Sequence, residues 1–237
     1  FRRVLFRSVT NVIIGKRSMD QKFLLNFPNA LSDDFFAIDN DGEHDMESLE
    51  VKWTGEFYGS TLTTGVFFMN EDNVTDFADY LDFGAFAGAP GNAVVNLANR
   101  VLENGTDSKS VYAQADIPLG DGTLTLGARW TDDEKSIAFS GSIDTQALID
   151  AGVPTTLATS AWTPRIAYKK NISEDLMIYA SATKGFKSGG WNSRCTAGPG
   201  CLSFDPESLW SYEMGMRGDY LDGRLRANIT LFHSDLK

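Results

Sequence analysis

No stretch of this 237-residue chain approaches the roughly 18–20 consecutive apolar residues of a membrane helix, which excludes a helical membrane protein. Basic residues are scarce: 21 Lys and Arg stand against 32 Asp and Glu, a balance of −11. Without a basic stripe nothing supplies counterion release, so nucleic acid is not an expected partner. The two histidines, His44 and His233, are far apart, and no second cysteine pair accompanies Cys195 and Cys201, so a zinc site is not expected and no metal ligands are assigned. No Gly-x-Ser-x-Gly or His-Glu-x-x-His occurs, and Gly15-Lys16 lacks both the upstream Gly and the following Ser/Thr of a phosphate loop. No enzyme and no cofactor are assigned. Asp39-Asn40-Asp41-Gly42-Glu43 fails EF-hand spacing, because Gly42 at position six would put Ala37 first and Ser48 twelfth. An ordinary solvated acidic loop and a loose divalent-cation site both remain open there.

What is present is alternation. With 22% charged and 42% apolar residues the chain is too apolar for wholesale disorder. In Leu209–Tyr220 one parity is Trp210, Tyr212, Met214, Met216, Gly218 and Tyr220; the other is Leu209, Ser211, Glu213, Gly215, Arg217 and Asp219. Such a strand has one face in an apolar medium and one in a polar medium. Leu124, Leu126, Ala128 and Trp130 alternate with Thr and Arg in the same way, as do Leu225, Ala227 and Ile229. Strands are expected at 9–17, 44–55, 60–71, 108–118, 123–137, 161–169, 175–191, 207–220 and 224–237. Several exceed the 5–6 residues usual in soluble sheets and meet the ~9–11 that a tilted membrane strand needs.

The connections are sorted by length. Long intervals, 18–43, 72–107, 138–160 and 192–206, alternate with short ones, 56–59, 119–122, 170–174 and 221–223. A membrane barrel sorts its loops in this way, with tight turns on one rim and long external loops on the other. Asp121-Gly122 and Asp222-Gly223 suit type I′ hairpins. Within the long intervals a helix is expected over Asn92–Glu103, which sets Val94, Leu97, Ala98, Val101 and Leu102 on one face. A second is expected over Asp144–Ala151, closed by Gly152. Trp210 and Tyr220 lie ten residues apart, about 33 Å at ~3.3 Å per residue. Tilted by ~40° that spans about 25 Å, the height of an apolar band between aromatic girdles, so Trp210, Tyr212 and Tyr220 are expected membrane-interface aromatics. Cys195 and Cys201 flank a Gly-Pro-Gly segment in an external interval, where a disulfide is favoured over free thiols. Phe1–Ser8 fits nothing downstream and is expected to be a non-native, adapter-derived segment, a native basic turn being the alternative. The chain is expected to be an internal piece of a longer one.

Three stretches carry a family likeness. Tyr179–Asn192 (YASATKGFKSGGWN), Phe204–Tyr220 (FDPESLWSYEMGMRGDY) with Leu221–Arg226, and the wall strands Thr64–Asn73 and Leu124–Lys135 together resemble the barrel of TonB-dependent outer-membrane receptors. The resemblance implies an all-β antiparallel transmembrane barrel wall over 9–237, about nine long strands of a 22-strand barrel, with short periplasmic turns and long external loops bearing small helices. The plug, the TonB box and the closing strands have no counterpart here. It further implies the outer membrane of a Gram-negative bacterium, contact with outer-membrane lipid and lipopolysaccharide, coupling to TonB through the plug, and import of a scarce nutrient complex. Ferric siderophores, haem, cobalamin and oligosaccharides are the cargo classes. Phe83 and Phe86, in the external interval 72–107, and Trp191, at the end of the expected strand 175–191, are candidate ligand contacts. A passive porin, a soluble carbohydrate-binding β-sandwich and an outer-membrane enzyme are the competing readings, the last hard to build with two histidines.

Overall fold

The computed structural model describes residues 8–89, 93–192 and 202–237. Nine long antiparallel strands form one sheet in chain order. They are β1 (Ser8–Phe27), β2 (Phe36–Phe57), β3 (Ser60–Asp82), β4 (Val94–Leu119), β5 (Gly122–Gly141), β6 (Thr156–Asn171), β7 (Leu176–Lys187), β10 (Glu207–Tyr220) and β11 (Leu225–Leu236). The pair β8 (Gly190–Trp191) and β9 (Ser203–Phe204) sits within the β7–β10 connection, and the helices α1 (Phe83–Phe86) and α2 (Thr145–Asp150) lie in two others. No described helix is long and apolar enough to cross a membrane, a statement that does not touch membrane strands.

The strands sort their side chains by parity, and the hydrogen-bonded register aligns like with like. On the face that we call outer, Val12, Val51, Val66, Val111, Trp130 and Trp162 pair in one continuous row. Lower on the same face, Ile117, Leu124, Tyr168, Ala180, Met214 and Leu231 form another. Toward the loop end the face changes character abruptly. Lys16, Glu47, Asn70, Asp107 and Glu134 occupy one row, and Val66, Phe68, Val111, Trp162, Met214 and Leu231 below it stand exposed. No second layer covers this band among the described residues.

The band is inclined to the rows. Its upper edge lies at Leu49 and Phe68 on β2 and β3, one row lower at Val111, Trp130 and Trp162, and one lower again at Trp210. Its lower edge descends in the same sense, from Leu62 on β3 through Tyr168 to Tyr220. With rows ~6.6 Å apart and strands ~4.8 Å apart, the two edges slope by about 25° and about 45°. A level apolar band therefore requires strands tilted by that order, the tilt of membrane barrels.

The lower connections are tight. Tyr58 and Gly59 join β2 to β3 with φ of 48° and 79°, both left-handed as type I′ demands. At the next hairpin the left-handed residue is Gly120 (φ 59°) rather than Asp121 or Gly122. Type I′ is thus excluded, and the glycine sits at the first of the two turn positions, as type II′ asks. In the last hairpin Leu221, Asp222 and Gly223 are all left-handed, and β11 starts at Leu225 rather than 224.

Three expectations need correction. The strands continue far into the long intervals, so that β1 to β4 absorb most of 18–43 and 72–107, leaving 28–35 and 83–93 as the connections. The expected 175–191 strand ends at Lys187 and resumes only as the two-residue β8. The expected helix over 92–103 is strand β4 from Val94 onward, and its proposed cap Asn92 lies outside the described residues. The cause is a bulge: Asp79 pairs with Ala98 but Tyr80 pairs with Asn96, leaving Leu97 without a partner. The extra residue gives inward apolar positions the helix-like spacing 95, 98, 102. The second helix is present as α2, capped by the Asp144 carboxylate on the Ala147 N–H (2.8 Å) and followed by Gly152 at φ 74°.

Met214→Arg on the outer face is expected to lower the unfolding free energy of the full-length protein in phospholipid vesicles by about 2–4 kcal/mol. Ser211→Arg, on the inner face of the same strand, is expected to change it by less than ~1 kcal/mol. Denaturant titration of both variants in vesicles measures the difference.

Candidate functional site

The inner face has two zones. Alongside the apolar band it is a polar wall, with Thr54, Thr63, Gln114, Gly127, Arg165, Thr183 and Ser211 in one cross-strand row. Two tyrosines organise it. Tyr112 lies across Gly65, its direct partner on β3, and its hydroxyl donates to Glu50 Oε1 on β2 at 2.7 Å. Arg129 stacks over this ring and that of Phe67, its guanidinium carbon 5.8 and 5.4 Å from the two centroids. On the other side of the wall Tyr179 lies across Gly215, donates to Glu213 Oε1 at 2.6 Å and meets Thr230 Oγ1 at 2.9 Å, with Arg217 over its ring at 5.5 Å. Each glycine is needed for the close approach. A Cβ at Gly65 would stand 2.5 Å from the Tyr112 hydroxyl and 2.7 Å from Val51 O; one at Gly215 would stand 2.6 Å from Ile229 O. The carboxylates take the tyrosine hydroxyls, and Arg129 Nε donates to Thr131 Oγ1 at 3.2 Å.

Above the band the strands continue as a vestibule wall, and here the inner face is covered. The connection 142–155 folds over it and buries Leu148, Ile143 and Val153 against Phe77, Leu102, Ile137 and Phe139. Leu148 is 0% exposed. Thr145 Oγ1 fixes the fold-back by accepting from Phe139 N–H (3.0 Å) and donating to Phe139 O (3.2 Å). Beside this core Arg100, 2% exposed, donates through Nη2 to Asp79 Oδ2 at 2.7 Å and covers the Phe77 ring at 4.5 Å. On the outer face of the same zone, acidic side chains face each other directly: Asp45 opposite Asp72, Asp41 opposite Asp76, Asp107 opposite Glu134. Such pairs repel and are tolerated where water and salt screen them. Lys22 relieves one by donating to Asp41 at 2.8 Å, and that hydrogen bond holds its ammonium pKa above the ordinary lysine value.

The expected ligand contacts fall in different settings. Phe83 and Phe86 stand exposed on α1 at the tip of the β3–β4 connection, rings edge to face at 6.0 Å, with Asp82 Oδ1 capping the turn by accepting from Gly84 and Ala85 N–H. Trp191 is engaged elsewhere: its indole N–H donates to Pro154 O at 2.6 Å and its ring packs against the α2 core. The structure therefore does not group the three. Trp210 and Tyr212 stack at 6.0 Å on the outer face, and Tyr220 lies at that face's lower edge. Cys195 and Cys201 lie outside the described residues. The tyrosine–glutamate–arginine groups were beyond sequence reasoning, since Tyr112 reaches a residue 62 positions away and Tyr179 one 34 away. No three His, Cys, Asp or Glu side chains converge as a metal centre among the described residues.

Comparison with known proteins follows this geometry. Residues 12–237 match the family described as TonB dependent receptor-like, beta-barrel. A 73-residue segment is 38% identical to the metal-pseudopaline receptor CntO of Pseudomonas aeruginosa, covering 31% of this chain and 10% of that protein. The fold superposes on the ferric yersiniabactin uptake receptor FyuA from Yersinia pestis with a TM-score of 0.76 at 15% identity, over 97% of this chain and 33% of FyuA. It also superposes on the ferripyoverdine receptor of Pseudomonas aeruginosa, with a TM-score of 0.63 at 19% identity over 97% of this chain and 30% of that one. The chain thus spans about a third of the length of these solved receptors.

Two substitutions test the inner wall and the vestibule core. Gly65→Ala is expected to break the Tyr112–Glu50 hydrogen bond and cost about 1–3 kcal/mol of stability in vesicles. Leu148→Ala is expected to cost the 142–155 fold-back about 2–5 kcal/mol, read as new protease cleavage between 142 and 155 in otherwise intact protein.

Proposed function

The chain belongs to the TonB-dependent receptor β-barrel family, and on that premise we propose that it is part of the wall of an outer-membrane receptor that imports a scarce metal–chelator complex. The observation that carries this reading is the change of the inner face from a polar wall beside the apolar band to a built vestibule above it. A passive pore has no need of a tall, rigid mouth around a small ligand. Siderophore-type cargo is favoured because the relatives and structural neighbours bear the names of metal and ferric-chelate receptors.

In this reading residues 9–237 form barrel wall, the loop end faces the outside of a Gram-negative cell, and the outer face contacts outer-membrane lipid and, above the band, lipopolysaccharide. Trp210, Tyr212 and Tyr220 then sit at the two interfaces, where amphipathic rings are favoured. TonB acts through a plug domain elsewhere in the full-length protein, and the stacked arginines of the inner wall face the space it occupies. Phe83 and Phe86 provide an exposed apolar contact at the rim for the chelator's ring or chain.

Uptake by cells carrying the full-length gene tests this. Ferric hydroxamate, ferric catecholate, haem, cobalamin and maltooligosaccharide form the panel, with and without a protonophore. A ferric chelate is expected to enter, and entry is expected to stop when the protonophore collapses the proton gradient. Phe83→Ala with Phe86→Ala is expected to weaken its binding by roughly tenfold. Import that is indifferent to the protonophore would replace the receptor with a passive pore.

A further inference from the structure

On the vestibule's inner face, above the apolar band, three side chains form a relay. His44 on β2 has Nε2 3.2 Å from Glu71 Oε1 on β3, and the same oxygen accepts from Asn73 Nδ2 at 3.0 Å. The other ring nitrogen, Nδ1, is buried and has no hydrogen-bond partner. An imidazole whose one N–H is held by a carboxylate, itself held by an amide, has its tautomer fixed with the remaining lone pair on Nδ1. Proteins orient metal-ligating histidines by this arrangement, the outer carboxylate raising the basicity of the ligand. An orphaned buried nitrogen otherwise calls for its own explanation. The neighbours supply a second donor type. Met19 lies directly opposite His44 on β1, and Met46 follows two residues along β2 on the same face. Met19 Sδ accepts a hydrogen bond from Arg17 Nη2 at 3.4 Å, which a bound metal would replace.

We propose that His44 Nδ1, with the thioethers of Met19 and Met46, forms a copper(I) site on the inner wall of the vestibule, with Glu71 and Asn73 as positioning residues. The donor set selects the metal. Thioethers favour soft Cu(I), imidazole accepts copper readily, and no cluster of carboxylates is at hand for a hard ion. Copper bound here is held by the wall itself, so the site stands whether or not the cargo reading is right.

The test uses the full-length receptor in detergent, in a Cys195→Ser, Cys201→Ser background so that thiols do not compete, titrated anaerobically with Cu(I) against a chromophoric chelator. One copper per receptor is expected, with nitrogen and sulfur neighbours in its X-ray absorption spectrum. His44→Ala is expected to abolish the binding, and Glu71→Gln, which removes no ligand, to weaken it about 10–100-fold. Met46→Leu is expected to weaken Cu(I) binding and to lower the sulfur contribution to the spectrum, and Met19→Leu with Met46→Leu to remove it. Thermal unfolding of each variant verifies the fold, and His44→Gln serves where the alanine variant does not fold. Equal copper binding by the parent and the His44 variant, or a copper spectrum without sulfur, would overturn the proposal.

Discussion

Everything in this structure depends on an apolar face that no other part of the described chain covers. The sheet is one layer deep, and along the band its outer side chains, Val66, Met214 and Leu231 among them, are exposed. In water this would be an unpaid hydrophobic cost along seven or more strands; against hydrocarbon it becomes the main stabilising term. The same medium forbids unpaired backbone, and from β2 to β5 the long registers satisfy it by carrying the hydrogen-bond ladder through the band without a break. Tilt follows, because the band runs obliquely to the hydrogen-bonded rows.

Above the band the solvent changes and so does the construction. Water allows charge on the outer face, so Asp45 faces Asp72 there without a covering layer. The inner face gains a conventional protein core, with Leu148 and Phe139 packed as in a soluble domain and Arg100 sealed against Asp79. A wall standing free of the bilayer has no lipid to stiffen it, and the fold-back of 142–155 takes over that role.

How much of this was legible in the sequence depends on the medium surrounding each residue. Where one face meets hydrocarbon and the other water, parity is unmistakable, and β10 spans 207–220 as its alternation indicates. Where both faces meet water, as in Asp41–Glu43, no parity contrast exists, and the strand extensions resembled loops. At Leu97 a single bulged residue turned a two-residue period into helical spacing. α2 was legible because its signals, Asp144 and Gly152, are local. The Tyr112–Glu50 and Tyr179–Thr230 contacts were not, because each crosses a glycine on an intervening strand.

The central claim is that the two faces of the wall meet different media. Single cysteines at successive positions from Leu209 to Tyr220, spin-labelled in the full-length receptor reconstituted in vesicles, measure this directly. The account predicts a two-residue oscillation. Labels at 210, 212, 214 and 216 collide with oxygen dissolved in the bilayer; labels at 211, 213, 215 and 217 do not, and instead meet a water-soluble nickel chelate. Equal access to the nickel chelate from both parities would contradict it.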